Sequence, residues 1–178
     1  MMSKPTIAPE FEISTWLNAD APLSLAQCRG KVVMAVAFQM LCPGCVEVSL
    51  PQAKQVHAAF SASEVQVIGL HTVFEHHEAM QEASLRAFLH EYRIGFPVGI
   101  DAPSDDRSIP RTMQRYQMQG TPTLLLIDRM GRLRKQQLGH TSDLLLGAEL
   151  MALIKENDSV TKLSDKADER GCTPQGCE

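Results

Sequence analysis

The chain has 178 residues, 44% of them apolar and 21% charged, with five cysteines and a net charge of −4. That length suits one core-forming domain, and the composition argues against wholesale disorder. The acidic balance offers no basic field for nucleic acid or an anionic membrane, and no run of about 18 apolar residues is present to span a bilayer.

The opening Met1-Met2-Ser3-Lys4-Pro5-Thr6 leads to Glu10 and Glu12 without an apolar stretch. No signal peptide is therefore expected, and a cytoplasmic location with reduced thiols follows. Phe11–Trp16 is expected to form an edge strand and Leu23–Gln27 a short helix. Lys31–Phe38 (KVVMAVAF) is short, continuously apolar and rich in valine, the pattern of a strand buried on both faces. A helix is expected from Cys42 to Phe60, kinked at Pro51. Val65–Leu70 reads as a second buried strand, and Glu78–Tyr92 as an amphipathic helix with Met80, Leu85, Phe88 and Leu89 on one side. A short strand at Pro97–Ile100 precedes a helix over Ile109–Gln117 that Pro110 begins. Thr123–Ile127 and Leu133–Leu138 are strands joined by the Asp128–Gly131 turn, and Thr141 or Ser142 caps a last helix through Ile154.

This order predicts an α/β sandwich, parallel in its first half and closed by an antiparallel hairpin. Residues 1–155 form the expected domain. Glu156–Glu178, with six acidic and three basic residues and few large apolar ones, is expected to be a flexible acidic tail.

Chemistry concentrates at Cys42-Pro43-Gly44-Cys45, immediately after the first buried strand. Two cysteines at this spacing can close a disulfide in the first turn of a helix. There, free backbone N–H groups and the helix dipole favour a thiolate at Cys42, while the more enclosed Cys45 can resolve a mixed disulfide. Pro43 suits a first helical position, where its missing N–H costs nothing. The alternative is half of a zinc site, which needs a second Cys/His pair. The other focal element is Gly120-Thr121-Pro122-Thr123, at the mouth of a strand. A proline there cannot join the ladder; a cis Thr121–Pro122 bond would turn the preceding backbone outward to pair with an extended substrate.

CPGC after an apolar strand, then TPT before LLLID and a DRMGRL turn, resembles the thioredoxin superfamily, and more narrowly the TlpA-type disulfide reductases and redoxins. The resemblance covers residues 7–155. It implies a thioredoxin-like fold, a central mixed β-sheet flanked by helices, with the insertion helix of TlpA-like members between VIGL and PVGI. It also implies Cys42 as attacking thiol, Cys45 as resolving thiol, Pro122 as the cis-proline and no organic cofactor. The sequence departs from the pattern in three places. Gln39-Met40-Leu41 stand where a tryptophan usually precedes the first cysteine, and Val36 stands at the position of thioredoxin's buried aspartate. Glu47 is near the place of a TlpA-type glutamate but one residue out of register, so it is either an acid–base aid or a solvated helix carboxylate.

His71 follows a buried strand at the sheet's carboxyl end, with Glu75, His76, His77 and Glu78 nearby. It reads as a general base, a pH-responsive neighbour of Cys42, a metal ligand, or a satisfied histidine of a polar loop, the last being preferred. Cys28 reads as a small core hydrophobe. Cys172 and Cys177 in the tail are a shuttle pair for the CPGC disulfide, a soft-metal pair, or idle thiols.

The expected function is thiol–disulfide oxidoreduction, with a protein or small-molecule disulfide or dithiol as substrate and a reducing partner. A thiol peroxidase is the alternative enzyme, although the Pro and Thr that such enzymes place before their cysteine are absent from Ala37–Leu41. A metal-binding or partner-binding module of the same fold is the non-enzymatic alternative.

Overall fold

A computed structural model describes residues 6–105 and 108–168. Six strands form one sheet in the order β1-β4-β3-β2-β5-β6: β1 Ile13–Leu17, β2 Val32–Phe38, β3 Val65–His71, β4 Val98–Asp101, β5 Thr123–Ile127 and β6 Leu133–Leu138. β2 runs parallel to β3, and β3 to β4, whereas β1–β4, β2–β5 and β5–β6 are antiparallel. The helices are α1 Leu50–Ala59, α2 Glu82–Glu91, α3 Arg111–Arg115 and α4 Asp143–Asp168.

All seven residues of β2 are buried, as a central strand covered on both faces requires. Its alternation divides the core in two. Val32, Met34, Val36 and Phe38 pack with Leu50 and Val56 of α1, Leu85 and Leu89 of α2, and Leu146 and Leu150 of α4. Val33, Ala35 and Ala37 point the other way, toward Met113 and Tyr116 around α3, and toward Leu25 and Cys28 of the amino-terminal segment. β2 also delivers the chain to the carboxyl edge of the parallel strands just before Cys42, and β5 begins at that same edge, with Thr123 opposite Ala37. Two segments far apart in sequence therefore meet there.

The structure revises several sequence-based boundaries. Leu23–Gln27 is not a helix; Leu25–Gly30 forms turns, because the Glu10 carboxylate takes the Leu25 and Ala26 N–H groups at 2.7 and 2.8 Å. The expected Cys42–Phe60 helix is interrupted by a π-helical turn at Cys45–Ser49, where the Leu50 N–H reaches the Cys45 carbonyl. Pro51 explains the change of winding, since it has no N–H and its ring crowds the preceding turn. α2 starts at Glu82 rather than Glu78, after turns through His77–Met80 that follow His76 at φ 49°. The last helix continues to Asp168, beyond the expected end at Ile154.

Candidate functional site

Helical backbone begins at Pro43, directly after Cys42. Cys42 is half-buried and Cys45 is fully buried among the residues packed beneath α1, and both are free thiols. The Cys45 N–H donates to Cys42 Sγ at 3.4 Å, while the Cys45 and Val46 N–H groups also reach the Cys42 carbonyl at 3.0 and 3.1 Å. This winding brings the two cysteines onto one turn.

The loop before β5 completes the site. The Thr121–Pro122 peptide is cis, and Cys42 Sγ donates to the Thr121 carbonyl at 3.5 Å. Pro122 lies against Gly44, so a Cβ built at Gly44 would stand 3.6 Å from the proline Cδ. The loop is held from behind: Gly139 N–H donates to the Pro122 carbonyl at 2.8 Å and Thr123 Oγ1 to the Gly120 carbonyl at 2.7 Å.

Burial pushes the Cys45 thiol up to about 12, and its hydrogen bond with Cys42 adds to the rise. Hydrogen bonds from the Gln39 backbone and the Thr121 side chain pull in the opposite direction. Cys45 is therefore a protonated inner thiol in the reduced pair.

The other sequence candidates fall differently. Glu47 is exposed on the π-helical turn. His71 is 1% exposed, packs against Phe38 with ring centroids 5.3 Å apart, and is pushed down to about 4 by burial, so it is uncharged at neutral pH. Glu75, His76, His77 and Glu78 are exposed on the following loop. Cys28 is buried in the core on the other face of the sheet, where burial raises its thiol. Cys172 and Cys177 lie outside the described residues. Among the described residues no group of three or more His, Cys, Asp or Glu side chains is arranged to hold a metal ion. None of the described helices is long and apolar enough to cross a membrane.

Gln39 was not singled out from sequence as a site residue. It is 1% exposed, its carbonyl accepts the Cys42 N–H at 3.2 Å, and its side chain ties down the loop after β3. Oε1 accepts the Phe74 N–H at 3.4 Å and Nε2 donates to Glu75 at 3.4 Å. The available signal was a lone amide at the end of an otherwise apolar run, which a buried position tolerates only with partners.

Known proteins share this fold. The model of the AhpC/TSA family matches residues 6–136. A crystal structure of a thioredoxin-like superfamily protein is 59% identical, with a TM-score of 0.81, covering 83% of this chain and 96% of that one. A thiol-disulfide isomerase from Corynebacterium glutamicum is 43% identical, also with a TM-score of 0.81, covering 86% of this chain and 98% of that one. A putative thiol:disulfide interchange protein DsbE from Chlorobium tepidum shares the fold at 22% identity and a TM-score of 0.68, covering 86% and 99% of the two chains. No curated protein matches the chain. With its mixed six-stranded sheet, flanking helices and matched length, the chain belongs to the AhpC/TSA family and has the thioredoxin-like fold.

Proposed function

We propose that the protein is a thiol–disulfide oxidoreductase in which Cys42 attacks and Cys45 resolves. The observation that carries this reading is a half-buried Cys42 sulfur that hydrogen-bonds with both the buried Cys45 thiol and the backbone carbonyl of Thr121. The likeness to a thiol-disulfide isomerase at 43% identity supports it.

A disulfide-bearing segment lying extended along the Thr121–Pro122 backbone would present its S–S bond to Cys42. The Cys42 thiolate attacks one substrate sulfur, and the other leaves as a thiolate that takes up a proton. Cys45 then loses its proton and attacks Cys42 Sγ, which expels the second substrate sulfur and leaves a Cys42–Cys45 disulfide. Two electrons and two protons have passed to the substrate. A dithiol partner returns them by the reverse exchange, and a reducing cytoplasmic setting would keep the pair as thiols between turnovers. Once Cys42 is bonded to substrate, its hydrogen bond no longer holds the proton on Cys45, so the second step is favoured only after the first. A peroxidase reading is less favoured, because Gln39-Met40-Leu41 bring no hydroxyl side chain to polarise a peroxide ahead of Cys42.

Insulin reduction by dithiothreitol, with peptide mapping of the oxidised protein, tests the proposal. The expected result is catalysed turnover, an internal 42–45 disulfide after mild oxidation, and a substrate adduct trapped on Cys42 in the Cys45→Ser variant. Turnover that survives Cys42→Ser, or a folded protein that never links the pair, would overturn it.

A further inference from the structure

Gln39 stands between the end of β2 and the turn through Met40 and Leu41 that leads to Cys42. Its carbonyl accepts the Cys42 N–H at 3.2 Å and so closes that turn, while a hydrogen bond from its backbone to Cys45 favours the thiolate there. One peptide segment therefore serves both cysteines. The side chain is 1% exposed between the buried Phe38 and Met40, a place where an apolar residue would cost less to bury. Both ends of its amide go to the loop after β3: Oε1 accepts the Phe74 N–H and Nε2 donates to the Glu75 carboxylate, each at 3.4 Å. That loop is fixed at its root, where the Thr72 N–H donates to the Phe38 carbonyl at 3.0 Å and Thr72 Oγ1 to the Asp101 carboxylate at 2.8 Å. The turn that presents Cys42 is thus tied to the sheet through a neighbouring strand as well as through its own.

We propose that Gln39 is a positioning residue for the resolving step, its amide pinning the turn before Cys42 to the loop after β3 so that Cys45 is aligned with Cys42 Sγ. The inference rests on the roles proposed above for the two cysteines and adds a residue to them. In the step concerned, the Cys45 thiolate forms an S–S bond to Cys42, and the substrate sulfur leaves with the electron pair of the broken bond and takes up a proton. Attack by Cys42 on a free reagent needs little more than an accessible sulfur. The internal attack needs both sulfurs in line, and a fixed donor for the negative charge of a Cys45 that is 0% exposed. Freeing the turn from its tie removes that alignment and weakens the backbone donor. The Thr121 side chain, the other group that favours the Cys45 thiolate, is left in place. The second step should therefore slow more than the first.

The test follows the two releases of thionitrobenzoate from DTNB, one for each attack, in the full chain carrying Cys28→Ala, Cys172→Ser and Cys177→Ser. Adding Gln39→Leu, which keeps the side chain's bulk and removes the amide, is expected to lower the ratio of the second release rate to the first about tenfold. Glu75→Ala removes one tie from an exposed position and should lower that ratio about threefold, whereas Glu75→Gln, which retains an acceptor, should restore it. Should Gln39→Leu fail to fold, the two Glu75 variants carry the test alone. A role confined to folding would lower the urea midpoint without moving the ratio. An unchanged ratio in folded Gln39→Leu or in Glu75→Ala would overturn the inference and leave the two cysteine roles standing. Release of a single equivalent by the chain with Gln39 and Glu75 intact would overturn those roles and the inference with them.

Discussion

The buried state of Cys45 leads to a pH signature for the second chemical step. In the reduced pair the thiol is pushed up to about 12, first by burial and then by its hydrogen bond with Cys42. At pH 7 a thiol titrating at about 12 is ionised in only about one molecule in 10⁵, against about one in 10² for an ordinary thiol near 9. Bonding of Cys42 to a substrate sulfur removes the smaller cause and leaves burial, so the resolving step should still titrate above the ordinary thiol range. The assay uses a chain carrying Cys28→Ala, Cys172→Ser and Cys177→Ser, mixed with one equivalent of DTNB in a stopped-flow spectrometer. Attack by Cys42 releases one thionitrobenzoate, and attack by Cys45 on the resulting adduct releases a second. The first release scales with reagent concentration, whereas the second does not, so the phases separate. The rate of the second phase should rise about tenfold per pH unit from pH 6 through at least pH 9. A plateau below pH 8.5 would refute the reasoning, since it would mean that Cys45 is no harder to ionise than an exposed thiol.

Two further predictions concern stability. His71 takes up a proton near 6.5 in the unfolded chain but is pushed down to about 4 by burial in the folded one, so the unfolded state binds more protons between these values. The protein should therefore lose up to about 3 kcal/mol as pH falls from 6.5 to 4, with no change from this group above pH 7, and the loss should shrink in a urea-denaturation comparison with His71→Phe. Identical pH slopes for the two proteins would show that His71 is accessible to protons in the native state. Asp128, 3% exposed, accepts from the Met130 and Arg132 N–H groups at 3.0 and 2.9 Å and from the Arg132 and Arg134 guanidiniums at 2.8 and 3.2 Å. These hydrogen bonds and the Arg132 charge hold its carboxyl below the usual carboxylate range despite burial. Asp128→Asn should cost about 2–4 kcal/mol in urea unfolding. It should leave both DTNB phases unchanged, because this turn sits at the end of β5 remote from Thr121; altered thiol kinetics would argue for coupling along the strand.

Much of this protein was legible without coordinates, for local reasons. The continuous apolar run of β2 could be satisfied only between two layers, and the two-residue spacing of Cys42 and Cys45 places both sulfurs on one turn whatever the surroundings. The β5–β6 hairpin was visible because Asp128-Arg129-Met130-Gly131 punctuates two strands, and Gly131 adopts φ 75°, where side chains are disfavoured. Boundaries were less legible. The sequence showed a break at Pro51 but not its π-helical winding, and the turns that replace the Leu23–Gln27 helix depend on hydrogen bonds from Leu25 and Ala26 to the distant Glu10 carboxylate, which local periodicity does not contain.

The sequence by itself determined that a helix start would follow a buried strand with two thiols on it, because periodicity, proline placement and cysteine spacing are short-range properties. Tertiary structure alone decided the environments: that Thr121, 79 residues from Cys42, sets its carbonyl against that sulfur, that Cys45 is sealed, and that His71 is sealed with an unpaired nitrogen. Proton affinity and access depend on what packs around a group, and packing is a property of the assembled sheet and its covering helices.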